Sequence, residues 1–240
     1  MERVMASQIA AIDEHFPANV TVGMSFADGV TLLPRLVAQY VKEQPDARVH
    51  LDAGYEPELV QKLKDGELDF AILENQPLEP GIVTEVLGYK KLVFLAPDKA
   101  PYNQMPGPVP IDTLLKWPMI VYEWHSGRHM VGNRHFRERY GLSLRDHNMV
   151  GCFDTHEAMI EGVKAGLGWA TLPECIASRY RNEPGIIRFK VATDTMWYPV
   201  SLTWPSSCSP SDEARDFANF VRENIPEGYF ANSTEAQPRS

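Results

Sequence analysis

Leu59-Val60-Gln61-Lys62-Leu63-Lys64-Asp65-Gly66-Glu67-Leu68-Asp69-Phe70-Ala71-Ile72-Leu73 is the stretch whose reading decides the fold. Pro57, just upstream, suits the first turn of a helix, where its missing N–H is no loss. The helix predicted from there runs to about Lys64, and Asp65-Gly66-Glu67 ends it. Leu68 to Leu73 then reads as a strand.

Reading outward toward the N-terminus, Arg48 to Ala53 alternates as a strand. Before it, Leu32, Leu33, Leu36, Val37, Tyr40 and Val41 recur at helical spacing, and Gln44-Pro45-Asp46 stops that helix. Val20 to Met24 reads as a short buried strand, followed by a turn over Ser25-Phe26-Ala27-Asp28-Gly29. Strand, helix, strand, helix, strand is the pattern of a parallel sheet with crossover helices. Its connections are short and should be right-handed.

Downstream, two strands are predicted over Ile82–Leu87 and Leu92–Ala96, then a Pro-rich loop from Pro97 to Pro110 and a short helix near Asp112–Lys116. Met119–Tyr122, Met149–Phe153, Trp169–Pro173, Ile186–Val191 and Val200–Trp204 read as strands. Gly127–Tyr140 and Thr155–Ala165 read as helices, and a further helix starts after Pro173. The last helix carries Ala214, Phe217, Phe220, Val221 and Ile225 on one stripe. Residues 4–16 read as the end of a helix, and the polar stretch 231–240 as a flexible tail.

Composition bounds the function. The 240 residues suffice for one large domain or two compact lobes. A formal net charge of −9 repels a phosphate backbone, so these residues alone are not expected to hold DNA. No apolar run approaches the ~20 residues of a membrane span. The opening residues lack the apolar core of a secretory signal, so the expectation is a cytoplasmic protein or a trimmed N-terminus. Cys152, Cys175 and Cys208 are odd in number and form no C-x-x-C, which predicts reduced thiols rather than a disulfide framework or a zinc knuckle.

Three phrases carry a resemblance to the LysR substrate-binding domain family. The first is Val22-Gly23 followed by Leu32-Leu33-Pro34-Arg35-Leu36, similar to that family's first strand and "LLP" helix. The second, Leu59 to Leu63 with Asp65 to Ile72, resembles "L-x-x-G-x-L-D-x-A-I". The third, Val163 to Pro173, resembles "V-x-A-G-x-G-I-A-x-L-P", with Trp169 where a smaller apolar residue is usual. All three occur in order over about residues 19–225.

The resemblance implies an α/β fold of two Rossmann-like lobes with a central cleft, like a type II periplasmic binding protein. Lobe I would be about 19–90 plus 198–225, and lobe II about 91–197. Residues 1–18 would be the end of a linker helix, and 226–240 a flexible C-terminal tail. Strands near Leu87–Leu92 and Tyr198–Leu202 would form the hinge. It further implies a cytoplasmic regulator that senses a small-molecule effector, pairs as a homodimer and forms a tetramer in the full-length protein. In the expected dimer the helix after Leu32 of one copy meets the helix after Thr155 of the other. DNA would be contacted only through an N-terminal domain missing here.

A crevice at strand carboxyl ends, faced by helix N-termini, attracts anions. The turns expected to line it supply Ser25, Phe26, Ala27 and Asp28; Tyr122, Glu123, His125, Ser126 and Arg128; and Asp154 and Thr155, with Tyr55 from the second helix start. Ser25 and Asp28 read equally well as helix caps. Asp154 with Glu157 fits a capping box, which leaves Thr155 as the better ligand contact. His125 and Arg128 are candidate cations for an effector carboxylate. Glu123 would repel that carboxylate, pair with Arg128 or hold an amine. Tyr122 and Trp124 offer rings for stacking. His125, His129 and His135 do not follow a zinc pattern. The expected effector is therefore small and polar, acidic or aromatic, with no cofactor and no metal.

No catalytic phrase is present: G-x-S-x-G, H-E-x-x-H and G-x-x-x-x-G-K-[ST] are all missing, so no enzyme is expected. Gly54, Gly166 and Gly168 are assigned to backbone turns. The alternatives are a free-standing solute-binding protein of the same fold or an enzyme built on it.

Overall fold

The computed structural model describes residues 17–124, 126–207 and 210–230. The expected helix over residues 4–16, His125, Cys208 and the tail 231–240 lie outside the described residues, as does the side chain of Arg128.

The deciding stretch folds as read. Helix α3 spans Glu56–Asp65, with Glu56 and Glu58 in its first turn and Lys62 and Lys64 in its last, a distribution that suits the helix dipole. Gly66 closes it at φ 75° and ψ 18°, the left-handed region that only glycine enters freely. The Glu67 N–H donates to the Lys62 carbonyl and the Gly66 N–H to that of Leu63, which satisfies two otherwise orphaned carbonyls. Strand β3, Phe70–Leu73, follows with all four residues buried, as expected of a strand covered on both faces.

Three parallel strands open the first lobe. β1 (Val20–Met24) pairs with β2 (Val49–Ala53) on one side and with β3 on the other. α1 (Phe26–Thr31) and α2 (Leu33–Glu43) lie between β1 and β2. One face of this section is covered by α3 through Leu59, Val60 and Leu63. The other is covered by α2 and the late helix α8 (Asp212–Asn224), where Tyr40 packs on Phe217 and Phe220 at ring distances of 4.8 and 5.1 Å.

The segment Ser25–Gly29 is not the predicted turn. It forms most of α1, entered from an extended Ser25 and held by Gly29 N–H to Ser25 carbonyl and Leu32 N–H to Asp28 carbonyl. Asp28-Gly29 is a strong local turn signal, and tertiary packing overrides it. A Cβ on Gly29 would meet the Met24 sulfur at 2.6 Å, so the glycine serves close packing rather than a turn.

A second correction concerns β4, which is one continuous strand over Ile82–Pro97 rather than two. It pairs antiparallel with β9 (Trp197–Pro205) from Ile82 to Lys91, and β9 in turn pairs with β3. From Leu92 onward β4 changes partners to β7 (Trp169–Pro173) and β8 (Ile186–Phe189). A register shift between Val86 and Gly88 marks a bulge shortly before that change. β8 ends at Phe189, two residues earlier than expected, and Val191 instead bridges Val109.

The second lobe adds α4 (Ile111–Leu114), β5 (Met119–Tyr122), α5 (Gly127–Tyr140), β6 (Met149–Phe153), α6 (His156–Lys164) and α7 (Glu174–Ala177). β5 runs parallel to both β6 and β7. The whole sheet has the order β2-β1-β3-β9-β4-β7-β5-β6, with β8 paired to β4. Two α/β lobes thus share the long antiparallel strands β4 and β9. Residues 226–230, grouped on sequence with a flexible tail, fold back against the molecule through Tyr229 and Phe230.

Candidate functional site

Helices α3, α5 and α6 begin at the carboxyl ends of β2, β5 and β6. Their starts meet at the seam between the lobes. Tyr55 precedes α3 in an extended conformation, and its ring packs edge-on to Phe26 at 5.4 Å. Burial pushes the Tyr55 phenol up, and the carboxylates of Asp154 and Glu123 push it further. Those two acids belong to the second lobe, so Tyr55 faces across the seam.

Ser126 caps α5: its hydroxyl accepts from the His129 N–H at 3.1 Å. Gly127, the first helical residue, lies against the first lobe. A Cβ there would stand 2.7 Å from Glu56 Oε2 and 3.0 Å from the Glu74 carbonyl oxygen. The lobes therefore close to backbone contact at this point.

At α6 the capping differs from expectation. Thr155, not Asp154, is the cap, its hydroxyl accepting from the Ala158 N–H at 3.1 Å. Asp154 is exposed beside it, and Thr155 is exposed as well. One residue later His156 is buried, and its ring stacks on Tyr122 at 4.9 Å with planes 15° apart.

The start of α1 stands apart from the other three. Ser25 does not cap it; its hydroxyl accepts from the Glu74 N–H at 3.1 Å. Ala27 is fully buried and packs with Ile120, Tyr122 and Met159 of the second lobe. Asp28 is also fully buried and forms an ion pair with Lys90. Of the residues singled out on sequence, Phe26, Tyr55, Tyr122, Glu123, Ser126, Asp154 and Thr155 lie at the seam. Ser25, Ala27 and Asp28 lie beneath it. The histidines separate: His129 packs on the half-exposed Trp124 at 4.5 Å, whereas His135 bonds Thr193 at 3.0 Å.

Two residues at the seam escaped the sequence reading. Glu56 is half-buried; its Oε1 accepts from the Asn75 amide at 3.2 Å, while Oε2 has no hydrogen-bond partner among the described residues. Burial pushes the Glu56 carboxyl up, opposed by the Asn75 hydrogen bond. Glu74, at the end of β3, is buried beside it. A glutamate in a helix's first turn reads as dipole complementation, so no local signal separates Glu56 from Glu58. A small, mostly apolar pocket in the second lobe is lined by Leu92, Met119, Val121, Tyr122, His129 and Phe136 among others, and so shares Tyr122 with the seam.

Three helix N-termini, two hydroxyl caps and two aromatic rings suit a small polar molecule that also has a flat or apolar part. The flanking carboxylates add selectivity for what that molecule carries opposite its anionic end.

Comparison with known proteins gives the same architecture. The family model for the LysR substrate binding domain matches residues 16–226. The chain is 25% identical over 167 residues to the HTH-type transcriptional regulator CzcR of Bacillus subtilis (strain 168), covering 68% of this chain and 52% of that protein. It therefore spans about half the length of that curated relative. Among solved structures, the effector binding domain of QuiR in complex with shikimate superposes with a TM-score of 0.74 at 17% identity, over 85% of this chain and 95% of that one. The regulatory domain of CcmR from Synechocystis PCC6803, in complex with 2-PG, superposes at 0.76 with 15% identity, over 88% and 99%. These likenesses are of fold: two α/β lobes around a cleft, as in type II periplasmic binding proteins.

Proposed function

The chain belongs to the LysR substrate-binding domain family, and on that premise we propose that it is a regulator's effector sensor, binding a small acidic or aromatic molecule at the seam between its lobes. The observation that carries this reading is the meeting of three helix starts across the seam, with Gly127 of one lobe against Glu56 of the other. A molecule held there touches both lobes. Its binding therefore favours one lobe arrangement over others by the difference in its affinity for them. QuiR in complex with shikimate and CcmR in complex with 2-PG support a small polar effector for this fold.

Ser126 and Thr155 act as the hydroxyl contacts, Tyr55 and Phe26 as the ring surface, and His125 with Arg128 as the cations. Lobe I comprises residues 19–90 plus 198–225 and lobe II residues 91–197, and the strands near Leu87–Leu92 and Tyr198–Leu202 form the hinge between them, with the β4 bulge near Gly88 at its start. The sensor pairs with a second copy of itself and reaches DNA only through a separate N-terminal domain. No catalytic step is assigned to it. A second reading of the effector has its own support: Glu123 and Asp154 both act on Tyr55 across the seam. That field suits an ammonium group, so the effector class extends to amino acids.

A thermal-shift panel tests both readings. Shikimate, 2-PG, benzoates and amino acids are screened against the native chain, Ser126→Ala and Thr155→Val. At a ligand concentration of about 100 times Kd, binding adds about 2.7 kcal/mol. That corresponds to a rise of about 5–10 °C in Tm for a chain of this size. A shift that shrinks in either variant supports the seam as the site. A hit unchanged in both variants places the ligand elsewhere and overturns the assignment.

A further inference from the structure

The segment 226–230 ends in a pair of aromatic side chains seated on the strand that both lobes share. A turn closed by the Tyr229 N–H on the Pro226 carbonyl, at 3.0 Å, aims Tyr229 inward. Its phenol oxygen lies 2.9 Å from Asp28 Oδ1, 2.6 Å from Lys90 Nζ and 2.6 Å from the Thr31 hydroxyl. The ammonium of Lys90 also sits 4.0 Å from the centre of the Tyr229 ring. Phe230 covers Gly88 at the β4 bulge so closely that a Cβ there would fall 2.3 Å from the Phe230 ring.

These partners come from different parts of the molecule. Asp28 and Thr31 are on α1 of the first lobe. Lys90 lies on β4 just before it changes partners, and its Nζ reaches the sulfur of Cys175 on α7 of the second lobe at 3.8 Å. The phenol donates to the Asp28 carboxylate and accepts from Lys90, completing a buried ion pair that neither residue satisfies alone. Burial, and then Asp28, push the Tyr229 phenol far up, so it stays a donor.

We propose that residues 226–230 form a removable bolt, in which Tyr229 fills a phenol-binding pocket at the hinge and thereby ties α1 to the stretch of β4 around Gly88 and Lys90, where the strand passes from one lobe to the other. The bolt is independent of which effector the seam takes. Released, it leaves β4 free to flex at the bulge and α1 free to shift relative to α7.

Hydrogen exchange read by mass spectrometry on the full chain tests this in the absence of any effector. Tyr229→Ala empties the pocket. Gly88→Ala expels Phe230 while leaving Asp28, Lys90 and Tyr229 in place. Tyr229→Ala is expected to speed exchange about tenfold or more in peptides covering α1 and the β4 bulge, the loss of a hydrogen bond to charged groups being of that order, and Gly88→Ala to speed it at the β4 bulge. Peptides from β5 and β6 keep their native rates. In Tyr229→Ala, added p-cresol restores hinge protection and toluene does not. Native exchange at the hinge in both variants overturns the bolt. So does a uniform loss of protection over the whole chain, which is what a merely structural contact would produce.

Discussion

Replacing Lys90 with methionine isolates the Asp28 carboxylate in the interior. The side chains of the pair are 3% and 0% exposed, so neither charge has recourse to water. Removing one partner of such a pair leaves an uncompensated buried charge and costs about 3–5 kcal/mol. The surface pair Lys64–Glu79, 33% and 49% exposed, sets the contrast. Pairs of that kind contribute about 0–1 kcal/mol. Lys90→Met should therefore lower Tm by about 6–20 °C, and Lys64→Met by no more than about 4 °C. Asp28→Asn combined with Lys90→Met should recover most of the loss, because no charge is then stranded. Urea unfolding of the three variants and the native chain gives the free energies directly. A Lys90→Met cost as small as that of Lys64→Met would refute the reasoning, since it would mean that Asp28 reaches solvent or a second cation when its partner is gone.

Other predictions follow from single contacts. A Cβ on Gly168 would lie 2.2 Å from the Pro118 carbonyl oxygen, which also accepts from the Trp169 N–H, so Gly168→Ala should destabilise by about 1–3 kcal/mol in urea unfolding. Ser126→Ala removes the α5 cap and should cost about 1 kcal/mol with no ligand present, read by the same assay. Burial holds the Glu56 carboxyl above its unfolded value, so the native state binds the proton more tightly and stability falls as pH rises through that window. Glu56→Gln should consequently raise Tm at pH 7 relative to the native chain and lose that advantage at about pH 4.

Much of the fold was legible because its signals are local. Pro57 and Gly66 bracket α3 chemically, and Phe70–Leu73 is apolar throughout because both its faces are covered. The bounds of α5, β6 and β7 match the reading for the same reason. The misreadings came where tertiary packing outweighs local preference. Asp28-Gly29 has the composition of a turn, yet Asp28 is held inside α1 by a lysine 62 positions away. Gly88 looks like a break between two strands and is instead a bulge within one.

At the seam, Ser126 and Thr155 were visible because hydroxyl residues at strand-to-helix junctions have few other uses. The choice between Asp154 and Thr155 as cap was not, because it turns on where β6 ends, one residue either way. Glu56, Lys90 and Tyr229 carry no local mark at all. Their roles arise only when distant segments are brought together.

The long return of β9 has a consequence during synthesis. Leu73 finds its partner in Ser201, about 130 residues later. At about 5–20 residues per second, the ribosome takes on the order of ten seconds to supply it. For that interval β3 presents a bare, wholly apolar edge, the kind of template on which nascent chains stick to one another. A chaperone that shields Phe70–Leu73 until the last quarter of the chain emerges would decide how much protein reaches the native state.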